Sequence, residues 1–374
     1  MLTMDNKHII KSKFDKDRTI MIKGVAILLL LFHHLFLVKE RLLANGVHIP
    51  DNVYEKMYPI VVQARICVWI FVFLSGYGLA KKYEIYQNNK NNCRYNNDIK
   101  FVISSYLNLM KKWWIVLPFM MIVYAVFVGD LAEYYQHSVK LLVFDIVELN
   151  DFFGYQRVFG SWYFSLAQII ILLLPVLYSF CKKYGYLSII IFYVWMQFIG
   201  EGIVSTGGGA YLQYALTLVG GVVVAQENMM EKLLIWMDKR KYGYLWNVSL
   251  FIVLLICFLL RYKNNIPNYF CGFYELIICF IFCVLLSRIE NKLFAKIFRF
   301  LGRHSAVLFM TNVFFYIELP DIVYFTHNPF GAYISLIGVC AAFSLIIKKV
   351  EAIIHYDQII TSVENKVLNL NYSR

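Results

Sequence analysis

The sequence predicts an all-α polytopic membrane protein, a bundle of about ten transmembrane helices, on three observations. Of 374 residues 60% are hydrophobic, with 31 Phe and 28 Tyr and a mean hydropathy of +0.59, which is more apolar material than a soluble core requires. That material falls into ten runs, each long enough or nearly so to span a bilayer: 20–38, 58–80, 113–129, 161–181, 186–200, 210–226, 244–261, 270–287, 305–325 and 331–348. The basic residues concentrate in alternate connections between the runs, as the positive-inside rule requires.

The charge pattern also orients the chain. With the N-terminus in the cytoplasm and run-end residues such as Lys23, Arg261 and Lys348 sorted to the nearer side, 28 of the 36 Lys and Arg fall on inner segments and seven on outer ones, which leaves Arg65 within a span. Both termini are therefore expected in the cytoplasm of a multi-pass plasma-membrane protein. The net charge of +12 follows from this distribution, and without a basic stripe interleaved with aromatics it does not indicate nucleic acid.

Taken in order, residues 1–19 form a basic cytoplasmic tail carrying Lys7, Lys11, Lys13, Lys16 and Arg18, with no small-residue cleavage site after the first apolar run. Residues 20–350 then read as one membrane domain, and 351–374 as a cytoplasmic tail. The inner loop 87–98 is Asn-rich and of low complexity, which predicts mobility. The outer loop 130–160 carries Asp130, Glu133, Asp145, Glu148 and Asp151, and its 138–149 stretch predicts a short interfacial helix. Gly207, Gly208 and Gly209 predict a turn on the outer side. The shortest run is the fifth, and the ninth holds Asn312 and Glu318. No Gly-rich phosphate loop occurs, and the eight cysteines lack the spacing of a metal site.

The first run carries the chemistry that its apolar surroundings least explain. Lys23 and His34 are eleven residues apart, about 16 Å along a helix and about 20° from the same face. Ionisable groups placed inside a span are costly and mark function. His33 falls about 100° away on the wheel and reads as a packing or orienting residue. Arg65, seven residues into the second run, requires a buried anion or carbonyl partner. The cationic ends of several spans, Lys111, Lys112 and Arg303 among them, serve either as inner-face anchors or as phosphate contacts. Ser75, Gly76 and Tyr77 suit close helix packing, and Trp162 is either an interfacial anchor or a site wall.

These stretches recur in one order: Lys23-x10-His34, Phe71-Val-Phe-Leu-Ser75-Gly76-Tyr77-Gly78, Lys111-Lys112-Trp-Trp-Ile-Val-Leu-Pro118, Gly160-Ser-Trp162-Tyr-Phe164 and Leu301-Gly302-Arg303-His304-Ser305. In that order and over roughly 20–315 the chain resembles acyltransferase family 3, the ten-span transmembrane O-acyltransferases. The resemblance implies transfer of an acyl group, usually acetyl, from cytoplasmic acetyl-CoA to a hydroxyl of a cell-surface glycan or lipid-linked saccharide. It implies His34, with Lys23, at the catalytic centre, and Lys111, Lys112, Arg303, Trp162, Ser75, Tyr77 and His33 as substrate and donor contacts, without a metal; Arg65 joins the catalytic set by its place inside the second run, from which it is expected to polarise the thioester carbonyl or hold the developing oxyanion. A homo-oligomer in the lipid bilayer is compatible with it. Three positions depart from the family pattern. Lys111 and Trp114 stand where members commonly have two arginines, Ala167 and Gln168 occupy a position often filled by Glu, and Asn312 stands where many have His. The rival reading, a transporter or flippase of a lipid-linked sugar, predicts inverted repeats with paired broken helices, and the two halves show no self-similarity.

Overall fold

The computed structural model describes residues 14–88, 94–149, 153, 162–198, 207–240, 243–263 and 271–370, and among them the regular structure is helical throughout. In chain order the helices are α1 (Lys16–Phe36), α2 (Lys39–Ala44), α3 (Asp51–Gln63), α4 (Ile66–Gln87), α5 (Arg94–Phe127), α6 (Leu131–Tyr134) and α7 (Val139–Val147). Then come α8 (Trp162–Tyr184), α9 (Leu187–Phe198), a 3-10 segment (Gly207–Tyr214), α10 (Ala215–Gln226), α11 (Met229–Asp238) and α12 (Gly243–Lys263). The chain closes with α13 (Cys271–Ser287), α14 (Lys292–Glu318), α15 (Pro320–Tyr324), α16 (Pro329–Ile353) and α17 (Tyr356–Leu370).

Six stretches are long and apolar enough to cross a membrane: α1, the α3–α4 pair, α5, α8, α12 and α16. The expected ten is not confirmed. Helices α9, α10 and α13 stand at three of the other positions but are short, and α14 begins with a polar half bearing Lys292, Lys296, Arg299 and Arg303. The surface agrees with a bilayer environment. Helix α12 turns Leu245, Val248, Ile252, Leu255, Ile256 and Leu259 outward, an apolar face that water would not tolerate uncovered.

Three local expectations change. The glycine run opens the 3-10 segment rather than a turn. The loop 87–98 has shrunk: α4 runs to Gln87, α5 starts at Arg94, and 89–93 lie outside the described residues. The 351–374 tail is largely helix α17. The interfacial helix expected at 138–149 is present as α7.

By packing the chain divides into two compact units, 1–30 with 62–82 and 176–303, and 31–61 with 83–175 and 304–374. In the first, glycines let backbones meet. A Cβ on Gly24 would lie 1.9 Å from the Phe298 carbonyl oxygen, and one on Gly302 would lie 1.8 Å from that of Ile20, so α1 and α14 cross where neither can carry a side chain. Gly76 and Gly221 do the same for α4 and α10, their Cβ positions lying 2.6 Å from the Leu218 oxygen and 2.4 Å from the Phe73 oxygen. The Tyr77 hydroxyl then donates to Glu231 Oε1 at 2.9 Å, tying α4 to α11.

In the second unit, α7 is held on α5 and α8 by bonds to its own carbonyls. Trp113 Nε1 donates to the Asp145 oxygen at 2.6 Å and Trp114 Nε1 to that of Ile146 at 3.0 Å. Gln168 Nε2 donates to Val147 at 2.9 Å, and Ser165 Oγ to Glu148 at 2.7 Å. These bonds satisfy carbonyls that a helix end leaves without partners, and they give Gln168 a structural role. Tyr135 donates to Asp145 Oδ2 at 3.0 Å, and burial followed by the Asp145 charge pushes its phenol above the usual range.

Candidate active site

Both histidines of the first run sit in the last turn of α1, nearer the helix end than the mid-span position expected from sequence. Their surroundings, all in the second unit, separate their roles. His33 Nδ1 meets the Val61 carbonyl oxygen at 2.8 Å in a buried contact that fixes α1 against the end of α3. His34 Nδ1 lies 2.7 Å from Asn312 Oδ1 on α14.

The protonation state of His34 follows from the asparagine. Asn312 Nδ2 is committed to the Leu308 and Phe309 carbonyls, at 3.2 and 2.6 Å, so its oxygen faces the imidazole and can only accept. His34 Nδ1 therefore carries the proton and donates it, which leaves Nε2 with its lone pair. Among the described residues Nε2 makes no hydrogen bond, and His34 as a whole is half-buried.

A third group closes the site from α2. One Arg41 Nη2 donates to the His34 carbonyl oxygen, and more weakly to that of Leu35 at 3.5 Å, while the guanidinium lies 4.2 Å from the Tyr316 ring centroid. The Tyr54 hydroxyl donates to the Phe36 carbonyl at 2.9 Å. Cation and hydroxyl together satisfy the carbonyls at the end of α1 and hold the turn that presents His34. Arg41 carried no signal in the sequence beyond an outer-loop charge. Asn312 was visible there as a polar residue within the ninth run and as a departure from pattern.

The remaining predicted residues are distributed more widely. Lys23 is half-buried on α1 and makes no ion pair among the described residues. Lys111 and Lys112 are already paired, Lys111 with Asp357 at 3.2 Å and Lys112 with Glu351 at 2.5 Å, so at rest they clamp α17 and the end of α16 onto α5. The Tyr356 hydroxyl adds a bond to the Lys111 carbonyl at 2.9 Å, and burial pushes its phenol up to about 12. Arg303 is exposed on α14, Ser75 is half-buried on α4, and Trp162 is half-buried at the start of α8 beside Tyr163.

Arg65 does not occupy the buried position expected of it. The second run breaks at Ala64 and Arg65, and the guanidinium is exposed in that turn, 3.4 Å from Gln213 Oε1 and 5.5 Å from the Trp69 ring centroid. The expected burial of Arg65 is therefore corrected: a guanidinium in an exposed turn has no buried anion beside it, and a role in the reaction stays a proposal. The buried cation of this region is Arg261 instead, because α12 continues through it. Its Nε donates to Glu275 Oε1 at 2.6 Å, and the two side chains are 9% and 1% exposed. The guanidinium lies 5.3 Å from the same Trp69 ring. All these groups belong to the first unit, and the pairing is what permits two charges to be buried.

Compared with known proteins, residues 20–349 match the family model Acyl_transf_3, described as an acyltransferase domain. Neither a curated protein nor a solved structure matches the chain.

Proposed function

The chain belongs to acyltransferase family 3 and is a membrane acyltransferase, and from that premise we propose that it moves an acetyl group from cytoplasmic acetyl-CoA to a hydroxyl of a cell-surface glycan or lipid-linked saccharide. What supports this reading is the tautomer of His34, whose bond to Asn312 leaves Nε2 available as a base.

The acceptor hydroxyl gives its proton to His34 Nε2 as its oxygen attacks the thioester carbonyl carbon. The C–S bond then breaks, and the departing thiolate takes that proton from the imidazolium. Ester and free thiol are the products, and the base is regenerated. Asn312 holds the imidazole in the reactive orientation throughout, and Arg41 holds the turn. Lys23, Lys111, Lys112 and Arg303 are the cations proposed to meet the phosphates of the donor. For Lys111 and Lys112 this requires exchanging a carboxylate partner for a phosphate. For Lys111, whose partner Asp357 is exposed, the pair contributes only about 0–1 kcal/mol and the exchange is inexpensive; for Lys112, whose partner Glu351 is 10% exposed, it costs more. The enzyme works in the plasma membrane with both termini in the cytoplasm.

The test is acetyl transfer from labelled acetyl-CoA to surface glycan by the wild type and by His34→Ala, each inserted at equal level. Loss of the base lowers turnover by about 10² to 10⁴-fold. Near-normal turnover of the variant removes His34 from the reaction. Export of unmodified saccharide that depends on the chain, with no ester formed, supports the flippase reading instead.

A further inference from the structure

The first three turns of α14, 292–303, carry Lys292, Lys296, Arg299 and Arg303 and no carboxylate. At about 100° per residue they divide into three strips. One strip packs inward: the Phe294 and Phe298 rings lie 4.0 Å apart, Leu301 is buried, and Gly302 abuts the Ile20 backbone. The second, Leu293, Ile297 and Phe300, is 67%, 48% and 38% exposed. The third, Lys292, Lys296 and Arg303, is exposed beside the second, about 90° round the helix.

Three contacts within the first unit set the level of this segment. Gly302 meets Ile20, Phe298 meets Gly24, and Arg299 is bonded to Asp17 at 3.1 Å, so it stands beside the first turns of α1. Those turns begin with Lys16 and Arg18 and enter the inner face of the bilayer in the orientation that the charges favour. Lys292 and Lys296 differ from other cations of that face. Lys111, Lys112, Arg288 and Arg299 each have a carboxylate, whereas these two lysines make no ion pair among the described residues. They are one turn apart, about 6 Å between Cβ atoms, close enough to share one phosphodiester. A soluble nucleotide would leave Leu293, Ile297 and Phe300 uncovered, and a zwitterionic headgroup would bring its own cation to the lysines. A molecule that joins a net negative headgroup to an acyl chain matches both strips at once.

We propose that this edge of α14 binds an anionic phospholipid of the inner leaflet. The phosphate accepts from the Lys292 and Lys296 ammonium groups, and an acyl chain lies along Leu293, Ile297 and Phe300. The choice of leaflet rests on the orientation proposed above, while the recognition of the headgroup rests on the two strips alone.

The test is titration of the full chain, purified in a non-ionic detergent, with dioleoyl phosphatidylglycerol and with dioleoyl phosphatidylcholine, the bound lipid being read by native mass spectrometry. In detergent the result does not depend on which way the protein faces a membrane. The wild type is expected to prefer phosphatidylglycerol about 25-fold, or about 5-fold for each lysine. Lys292→Gln combined with Lys296→Gln is expected to lose that preference while its binding of phosphatidylcholine stays unchanged. The corresponding pair of Arg substitutions, which keeps both charges, is expected to retain it, and this guards against a folding defect in the Gln pair. Leu293→Asn combined with Ile297→Asn is expected to weaken both lipids alike by removing the strip for the chain. Equal binding of the two lipids by the wild type, or a preference that survives the Gln pair, overturns the assignment. Displacement of phosphatidylglycerol by adenosine 3′,5′-bisphosphate at equal phosphate concentration, with no effect of the Asn pair, overturns it too, because the lysines would then serve a soluble phosphate. A reversed topology with the preference intact moves the lipid to the other leaflet and leaves its recognition standing.

Discussion

Asn312 Oδ1 accepts a hydrogen bond from His34 Nδ1 at 2.7 Å, joining the last turn of α1 to the second half of α14. The direction of that bond is forced, because the amide nitrogen of Asn312 is spent on the carbonyls of its own helix. One asparagine thereby decides which nitrogen of the histidine can take a proton.

Replacement of Asn312 by Leu removes the acceptor and leaves a partly buried N–H without a partner, which costs about 1–3 kcal/mol. If that cost falls on the reactive orientation, kcat drops about 5- to 150-fold while the KM for acetyl-CoA stays put. Steady-state kinetics on vesicles carrying Asn312→Leu and Asn312→His separate the cases. The imidazole of the second variant can again accept from Nδ1–H, so it is expected to recover part of the rate. Equal kcat for wild type and Asn312→Leu refutes the positioning role.

Glu351→Gln releases Lys112 from its carboxylate. Thermal stability in detergent is expected to fall by the equivalent of about 1–3 kcal/mol, since the Glu351 side chain is only 10% exposed and its hydrogen bond to the ammonium is charge-assisted. The KM for acetyl-CoA is expected to fall several-fold as the freed ammonium becomes available to phosphate. An unchanged KM assigns Lys112 to the clamp alone.

Gly302→Val places a branched side chain where even a Cβ would stand 1.8 Å from the Ile20 oxygen. Overpacking of this kind costs about 1–3 kcal/mol or more. A melting curve by intrinsic fluorescence should shift down by several degrees, and the same change at Gly338, whose Cβ would meet nothing within 4 Å, should not. Equal melting of the two variants would contradict the α1–α14 crossing.

Cysteines placed singly at Glu84 and Lys140, both exposed, in a cysteine-free chain report the orientation. An impermeant thiol reagent on intact cells is expected to mark only position 140. Labelling at 84 reverses the topology and with it the cytoplasmic approach of the donor.

The helical membrane class, the family and the candidacy of His34 could be read directly from the sequence, because each depends on local chemistry. A run of apolar residues excludes water wherever it folds, and an imidazole among leucines is anomalous before any partner is known. Arg65 and Arg261 show where this reading fails. The break at Ala64 has no glycine or proline to announce it, so Arg65 looked internal. Arg261, at the end of an apolar run, looked like a loop residue until Glu275, fourteen positions later, was found against it. Lys111 and Lys112 likewise gave no sign of Asp357 and Glu351, which meet them only when α17 folds back on α5.

The sequence by itself therefore determined that the chain lives in a membrane as helices and which family it joins, and it singled out His34 as the candidate base. Only the tertiary structure decided that Nε2 is the free nitrogen of His34, that the lysines begin in ion pairs, and that Arg261 rather than Arg65 is the buried cation. The physical reason is range: burial of apolar surface and helical periodicity act between near neighbours and are written in adjacent residues. A hydrogen bond such as His34 to Asn312 joins positions 278 residues apart and exists only once the helices have packed.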